Sequence, residues 1–202
     1  MSFTLNDVVP WGRNLTEYCA MFGLREAERA VSILGCADGP ASFNAEGTAA
    51  GMRIVSVDPL YAFAAREIRA RIEQATPIAS RLQSMENFLA DYDAGVAQGR
   101  YVSGSVIDLP FPDHSFDLAL CSNFLFLYSA QHDLAFHLKA IRELLRVADE
   151  LRIFPLLELG AVESRHLNAI MLALPRMGVR AERRRVDYEL QRDGNEMLVI
   201  SR

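Results

Sequence analysis

The segment SILGCADGPASF (32–43) ends a short apolar run in small residues, Gly35, Ala37 and Gly39, with Asp38 between the last two. Small residues let the backbone come close to a ligand, which is how many nucleotide pockets begin. Further on, IVSVDPLY (54–61) closes a second apolar run in Asp58. A carboxylate there can accept hydrogen bonds from both hydroxyls of a ribose. Plainer explanations stand beside these. The loop serves equally as a structural turn, and Asp58 as a helix N-cap with Pro59 as the first helical residue. No G-x-G-x-x-G and no G-K-[ST] accompanies the loop.

Other reactive side chains offer less. Cys19, Cys36 and Cys121 are widely spaced and form neither a zinc pattern nor a C-x-x-C pair. His114, His132, His137 and His166 are scattered, and each reads as a surface histidine. No metal site is expected, and no residue is assigned as catalytic.

The elements that must position these residues follow from periodicity. Residues 14–28 read as an amphipathic helix, with Leu15, Tyr18, Cys19 and Phe22 on one face. A strand over 30–34 precedes a helix from Pro40 to Ala50, stopped by Gly51. A strand over 53–58 precedes a long helical stretch with a break at Thr76–Pro77, the second part running to Ala97. Strands over 101–105, 115–123 and 151–158 follow, with helices over 130–148 and 162–178. The chain closes with two strands around an Asp193–Gly194 turn, a hairpin signal. Alternating strands and helices make an α/β sheet, mostly parallel, with helices on both faces. Arg183, Arg184 and Arg185 are expected on a solvated edge strand, where charge deters sheet-to-sheet association.

A length of 202 residues suits one domain, and 50% apolar with 23% charged residues argues against disorder. The net charge of −5 supplies no general attraction to nucleic acid or anionic lipid. Lys139 is the single lysine. No apolar run approaches membrane-span length, and the start lacks the basic end and apolar core of a signal peptide. A reduced, cytoplasmic protein is expected.

Three landmarks, in order, carry a resemblance: the loop at 35–39, Asp58, and GSVIDLPFPDHSFDLALCSNFLFLY (104–128), whose core LPFPDHSFDL is the most specific. Together they resemble class I S-adenosylmethionine-dependent methyltransferases, in the branch that includes quinone-biosynthesis-type small-molecule enzymes. The motifs cover residues 28 to 158, and the closing hairpin agrees by topology. The resemblance implies a Rossmann-like, seven-stranded, mostly parallel sheet whose last strand inserts antiparallel. It also implies S-adenosyl-L-methionine as cofactor and a methyl transfer needing no metal.

By the same resemblance, Gly35, Ala37 and Gly39 cradle the cofactor's methionine end, Ala37 fitting if its φ is negative. Ile33 stands where the family has an acid that helps receive the cofactor's ammonium, and Asp38 is the candidate replacement. Asp58 takes the ribose, with Pro59 and Leu60 beside it. Leu60 and Tyr61 cover one face of the adenine. Ser105 stands at the adenine-contacting acid's position, Val106 offers its N–H to the ring, and Asp108 is an alternative partner for the adenine amino group. Asn123 offers a carbonyl to the ammonium. Trp11, Arg13 and Tyr18, ahead of the first strand, and Phe124 and Tyr128, after the fourth, are candidate acceptor contacts.

Residues 1–202 then form one domain, with 1–28 as a helical lid and 77–98 as an extra helix walling the substrate. The absence of an Asn-Pro-Pro-Tyr type sequence favours a small-molecule acceptor over nucleic acid. Neither the acceptor nor the oligomeric state is legible. Two rivals remain: a non-catalytic protein binding S-adenosylmethionine or S-adenosylhomocysteine through a degenerate pocket, and a nicotinamide-dependent oxidoreductase, which the loop and the hairpin disfavour.

Overall fold

A computed structural model describes residues 12–74, 79–189 and 191–202. Its centre is a seven-stranded sheet. The strands are β1 (Ser32–Cys36), β2 (Arg53–Val57), β3 (Tyr101–Val102), β4 (Phe116–Ser122), β5 (Ala148–Phe154), β8 (Arg180–Arg185) and β9 (Glu196–Ser201). They lie in the order β3-β2-β1-β4-β5-β9-β8. The first five run parallel, and β9 inserts antiparallel between β5 and β8. The short strands β6 (Leu157–Glu158) and β7 (Val162–Glu163) pair separately.

Alternation along the strands divides the core. Leu34, Cys36, Ala119, Cys121, Leu198 and Ile200 pack on one face with α5 (Leu134–Val147) and α6 (Leu167–Ala173). Ile33, Ile54, Leu118, Leu120, Met197 and Val199 pack on the other with α1 (Leu15–Phe22) and Phe43 of α2 (Phe43–Ala49). Strands buried on both faces read as continuous apolar runs, as parallel strands must. A third cluster, of Tyr61, Phe88, Tyr92 and Tyr101, lies where α3 (Ala65–Gln74) and α4 (Ala79–Ala97) meet the β3 edge.

Capping sets several ends. The Asn14 side chain accepts from Glu17 N, and Glu17 answers the Asn14 N–H, a capping box that starts α1. Gly23, at φ 55°, stops it eight residues on. Asp133 caps α5 by accepting from Phe136 N at 2.8 Å. The Asp117 carboxylate accepts from the Ser32 N–H and hydroxyl, tying the start of β4 to that of β1.

Some expectations need correction. Pro40 lies in a turn, and α2 begins only at Phe43. The helix expected over 162–178 is shorter: Val162 and Glu163 pair with β6, and residues 174–177 form a 3-10 turn carrying Pro175. The closing strands are joined by residues 186–195, not by a tight turn at Asp193–Gly194. His137 is fully buried, not a surface histidine, because it sits on the core side of α5. Its Nδ1 lies 2.7 Å from the Asp133 carbonyl and its Nε2 2.8 Å from that of Leu125. The three arginines do lie on an edge strand, and Arg183 pairs with Glu163 and Glu196.

Candidate active site

The loop after β1 folds back on itself. Ala37 N continues the ladder by donating to Val57 O at 2.9 Å, and the chain then turns through two left-handed residues, Ala37 at φ 56° and Gly39 at φ 54°. The negative φ expected of Ala37 is not found, and this alanine carries the backbone strain a glycine would avoid. The turn sends the Asp38 carboxylate back over Gly35, where an added Cβ would lie 1.9 Å from Asp38 Oδ2. Gly35 is therefore a glycine on account of the protein's own acid. Around Gly39 an added Cβ would meet nothing within 4 Å.

Asp38 is buried, and each of its oxygens accepts one hydroxyl and keeps a further acceptor site. Tyr18 donates to Oδ1 at 2.7 Å and Ser56 to Oδ2 at 2.7 Å, while the Tyr18 and Ser122 hydroxyls lie 3.0 Å apart. One carboxylate thus gathers α1, β2 and the end of β4. Burial pushes its pKa up to about 7, against the two hydroxyl bonds, and the nearby Asp58 adds to the rise. Tyr18 is fixed further by stacking on Phe43 at 4.0 Å between centroids. Its hydroxyl serves Asp38, so Tyr18 positions the carboxylate and is not open to an acceptor.

Asp58 stands at the end of β2 and caps the 3-10 turn Pro59–Ala62, accepting from Leu60 N at 2.7 Å through Oδ1. Its Oδ2 accepts from Gly39 N at 2.9 Å, which joins the two loops. Burial lifts this carboxyl to about 6, and the two backbone bonds oppose the rise. Each oxygen retains a further acceptor site. The Tyr61 hydroxyl donates to Gly39 O at 2.8 Å, and its ring packs on Phe88, Tyr92 and Tyr101, so the cradle rests on the aromatic cluster.

The remaining candidates among the described residues lie on the segments that follow β3 and β4 and just ahead of α1. Asp58 N donates to Val102 O, so the segment after β3 adjoins the β2 end. There Ser105 and Asp108 bridge across a turn, Asp108 N donating to Ser105 O at 2.9 Å, and Val106 is buried. Asn123 N donates to Phe154 O at 2.6 Å, and the residue turns at φ 52°, the device already seen at Ala37. Its Oδ1 is buried without a hydrogen-bond partner. Phe124 and Tyr128 are half-buried, with ring centroids 6.1 Å apart. Arg13 is buried. Trp11 lies outside the described residues. Among the described residues no cluster of three His, Cys, Asp or Glu side chains fits a metal ion, and no helix is long and apolar enough to cross a membrane.

Ser56 is a site residue the sequence reading lacks, and Tyr18, expected as an acceptor contact, instead anchors Asp38. The one available signal was Ser56 itself, a hydroxyl interrupting the apolar run IVSVD. The site pairs two buried carboxylates with an orphaned amide oxygen, and neither acid has an ion pair with a described residue. That set of acceptors suits a ligand carrying positive charge and hydroxyls.

Comparison with known proteins agrees with this geometry. Residues 34–150 match the family described as a methyltransferase domain. An uncharacterized protein of Methanocaldococcus jannaschii is 30% identical over 223 aligned residues, covering 98% of each chain. Two solved structures share the fold at low identity. Magnesium protoporphyrin IX methyltransferase of Synechocystis PCC 6803, with bound SAM, has a TM-score of 0.57 at 12% identity, over 93% of this chain and 77% of that one. A SAM-dependent methyltransferase of Aquifex aeolicus has a TM-score of 0.50 at 14% identity, over 98% and 97%. With the matched segment spanning β1 through the start of β5, more than half of its length, the chain belongs to the methyltransferase domain family.

Proposed function

We propose that the protein is an S-adenosylmethionine-dependent methyltransferase acting on a small molecule in the cytoplasm. One observation carries the reading: Asp38 and Asp58 are buried at the carboxyl ends of β1 and β2, lifted by burial and without a cationic partner among the described residues. Ligands of open α/β sheets bind at this edge. The cofactor, when bound, supplies a methyl group already activated by a sulfonium.

The residues present fit that cofactor. Asp38 and the orphaned Asn123 Oδ1 receive its ammonium. Asp58 accepts from the ribose hydroxyls through its spare lone pairs. Gly39, with nothing within 4 Å of an added Cβ, lets the backbone approach, Gly35 and Ala37 shape the same loop around Asp38, and Pro59, Leu60, Ser105, Val106 and Asp108 frame the adenine. Phe124 and Tyr128 offer apolar surface to the acceptor. The chain's own task is to bind, exclude water and align the acceptor with the methyl group, for which no side-chain base is assigned. The segment ahead of β1 closes the pocket from one side and α4 walls another.

Calorimetry with S-adenosylmethionine and S-adenosylhomocysteine tests the reading. Binding in the micromolar range is expected, and Asp58→Ala weakens it by about tenfold or more. No heat at high ligand concentration overturns the proposal. Release of S-adenosylhomocysteine over a panel of acceptors separates an enzyme from a protein that only binds the cofactor.

A further inference from the structure

Arg13 is 5% exposed, and its Nε is buried without an acceptor. Its guanidinium makes no hydrogen bond or ion pair with any described residue. Leaving a buried guanidinium bare is costly, and folds ordinarily provide it with carboxylates or carbonyls. Nor is this a loose surface arm. The preceding Gly12 lies against α4, where an added Cβ would be 2.5 Å from Met85 Cγ. The Arg13 carbonyl accepts from the Ser42 hydroxyl at 3.5 Å, and Asn14 is locked as the cap of α1. The backbone is held on both sides while the charged end is left unused.

The charge is felt by two phenols. Burial and the Asp38 carboxylate push Tyr18 up, and Arg13 acts in the opposite sense. Burial pushes Tyr128 up, and Arg13 again opposes it. Tyr18 reaches the β4 end through Ser122, and Tyr128 belongs to the aromatic turn that follows β4. In the sheet order, β4 lies on the opposite side of β1 from β2, whose end carries Asp58. The Arg13 charge therefore acts on groups at the β4 end, on the side of β1 away from Asp58.

We propose that the methyl acceptor carries an anionic group, a carboxylate or a phosphate, and that Arg13 is the residue that holds it. A guanidinium matches both anions through paired N–H donors. Phe124 and Tyr128 supply the apolar surface beside it, so the acceptor class is an anion joined to an apolar or aromatic body. The inference rests on the methyltransferase reading, and its test is separable from that reading.

The probes are benzoate, phenyl phosphate and the neutral benzamide, titrated into protein saturated with S-adenosylhomocysteine. The wild type is expected to prefer one of the anions over benzamide by about tenfold or more. Arg13→Met abolishes that preference, Arg13→Lys keeps part of it, and neither changes S-adenosylhomocysteine affinity by more than about threefold. Equal binding of all three probes by the wild type, or a preference that survives Arg13→Met, overturns the proposal. So does a tenfold loss of S-adenosylhomocysteine affinity in Arg13→Met that is absent with S-adenosyl-3-thiopropylamine, its decarboxylated analogue, because the guanidinium then belongs to the cofactor's carboxylate. Failure of the wild type to bind S-adenosylhomocysteine counts against the methyltransferase reading instead. The anion preference is then measured on the protein alone, by the same criteria.

Discussion

Arg13 and Arg152 are both buried, and the fold treats them in opposite ways. Arg152, 2% exposed on β5, donates Nη1 to the Phe22 carbonyl, Nε to Glu150 and Nη2 to Glu28. Burial raises the Glu28 carboxyl, but hydrogen bonds from Arg25 and Arg152 outweigh it and hold the group at about 2. Arg13, scarcely more exposed, has no such partner among the described residues. The chain can evidently supply acids and carbonyls to a buried guanidinium where the role is to fasten α1 and its following turn to the sheet. The guanidinium without a partner among the described residues is the one whose charge acts on Tyr18 and Tyr128.

The largest expected effect breaks the paired member. Arg152→Met strands Glu28 and the Phe22 carbonyl, and should destabilise the protein by roughly 3 kcal/mol, lowering Tm by roughly 6–12 °C in a thermal melt. Arg13→Met should leave Tm within about 2 °C or raise it, because no described partner is lost. A melting loss for Arg13→Met as large as that for Arg152→Met erases the contrast between the two arginines.

The next effect concerns the acids. Asp38→Asn should weaken S-adenosylhomocysteine binding by roughly 10- to 100-fold above pH 7, measured by calorimetry. Stability should move the other way. Asp38 and Asp58 titrate at about 7 and about 6 when folded, above the ordinary value of 3.8. The folded state then binds more protons than the unfolded state, so these two groups favour folding fully below about pH 4, and that contribution is lost as pH rises to about 7. Melts of the wild type and Asp38→Asn at pH 5 and pH 8 isolate the Asp38 share. The variant should gain on the wild type as pH rises, and parallel pH profiles contradict the assigned shift.

The smallest effect is local. Ala37→Gly relieves a left-handed alanine and should stabilise by about 1 kcal/mol, or a Tm rise of roughly 2–4 °C, with cofactor binding retained. A loss of stability shows that the methyl group of Ala37 contributes packing that outweighs the strain.

What was legible in the sequence was what local periodicity and order encode. The alternation in SFDLALCSN marked β4, the alternating helices and strands gave the parallel sheet, and the apolar run at 197–201 marked a strand with two neighbours. Asp58 followed by Pro59 announced its cap directly. The rest depended on contacts between distant segments. Residues 18, 38, 56 and 122 meet only because β1, β2 and β4 end side by side, and no spacing rule connects them. Pro40 misplaced the start of α2 because its preference for a first helical turn holds equally for a β-turn. His137 was misread because a polar residue on an amphipathic helix is assigned outward unless its carbonyl partners are known.

Gly35 and Asp38 also constrain how this sequence can vary. The three heavy atoms nearest to an added Cβ at position 35 all belong to Asp38. The two positions are therefore coupled: Gly35→Ala forces the Asp38 carboxylate to shift, and shortening position 38 to alanine removes that carboxylate. A walk through sequence space that moves the acid back to position 33 must first empty position 38 before position 35 is free to change. The order of those steps is set by a single point of contact.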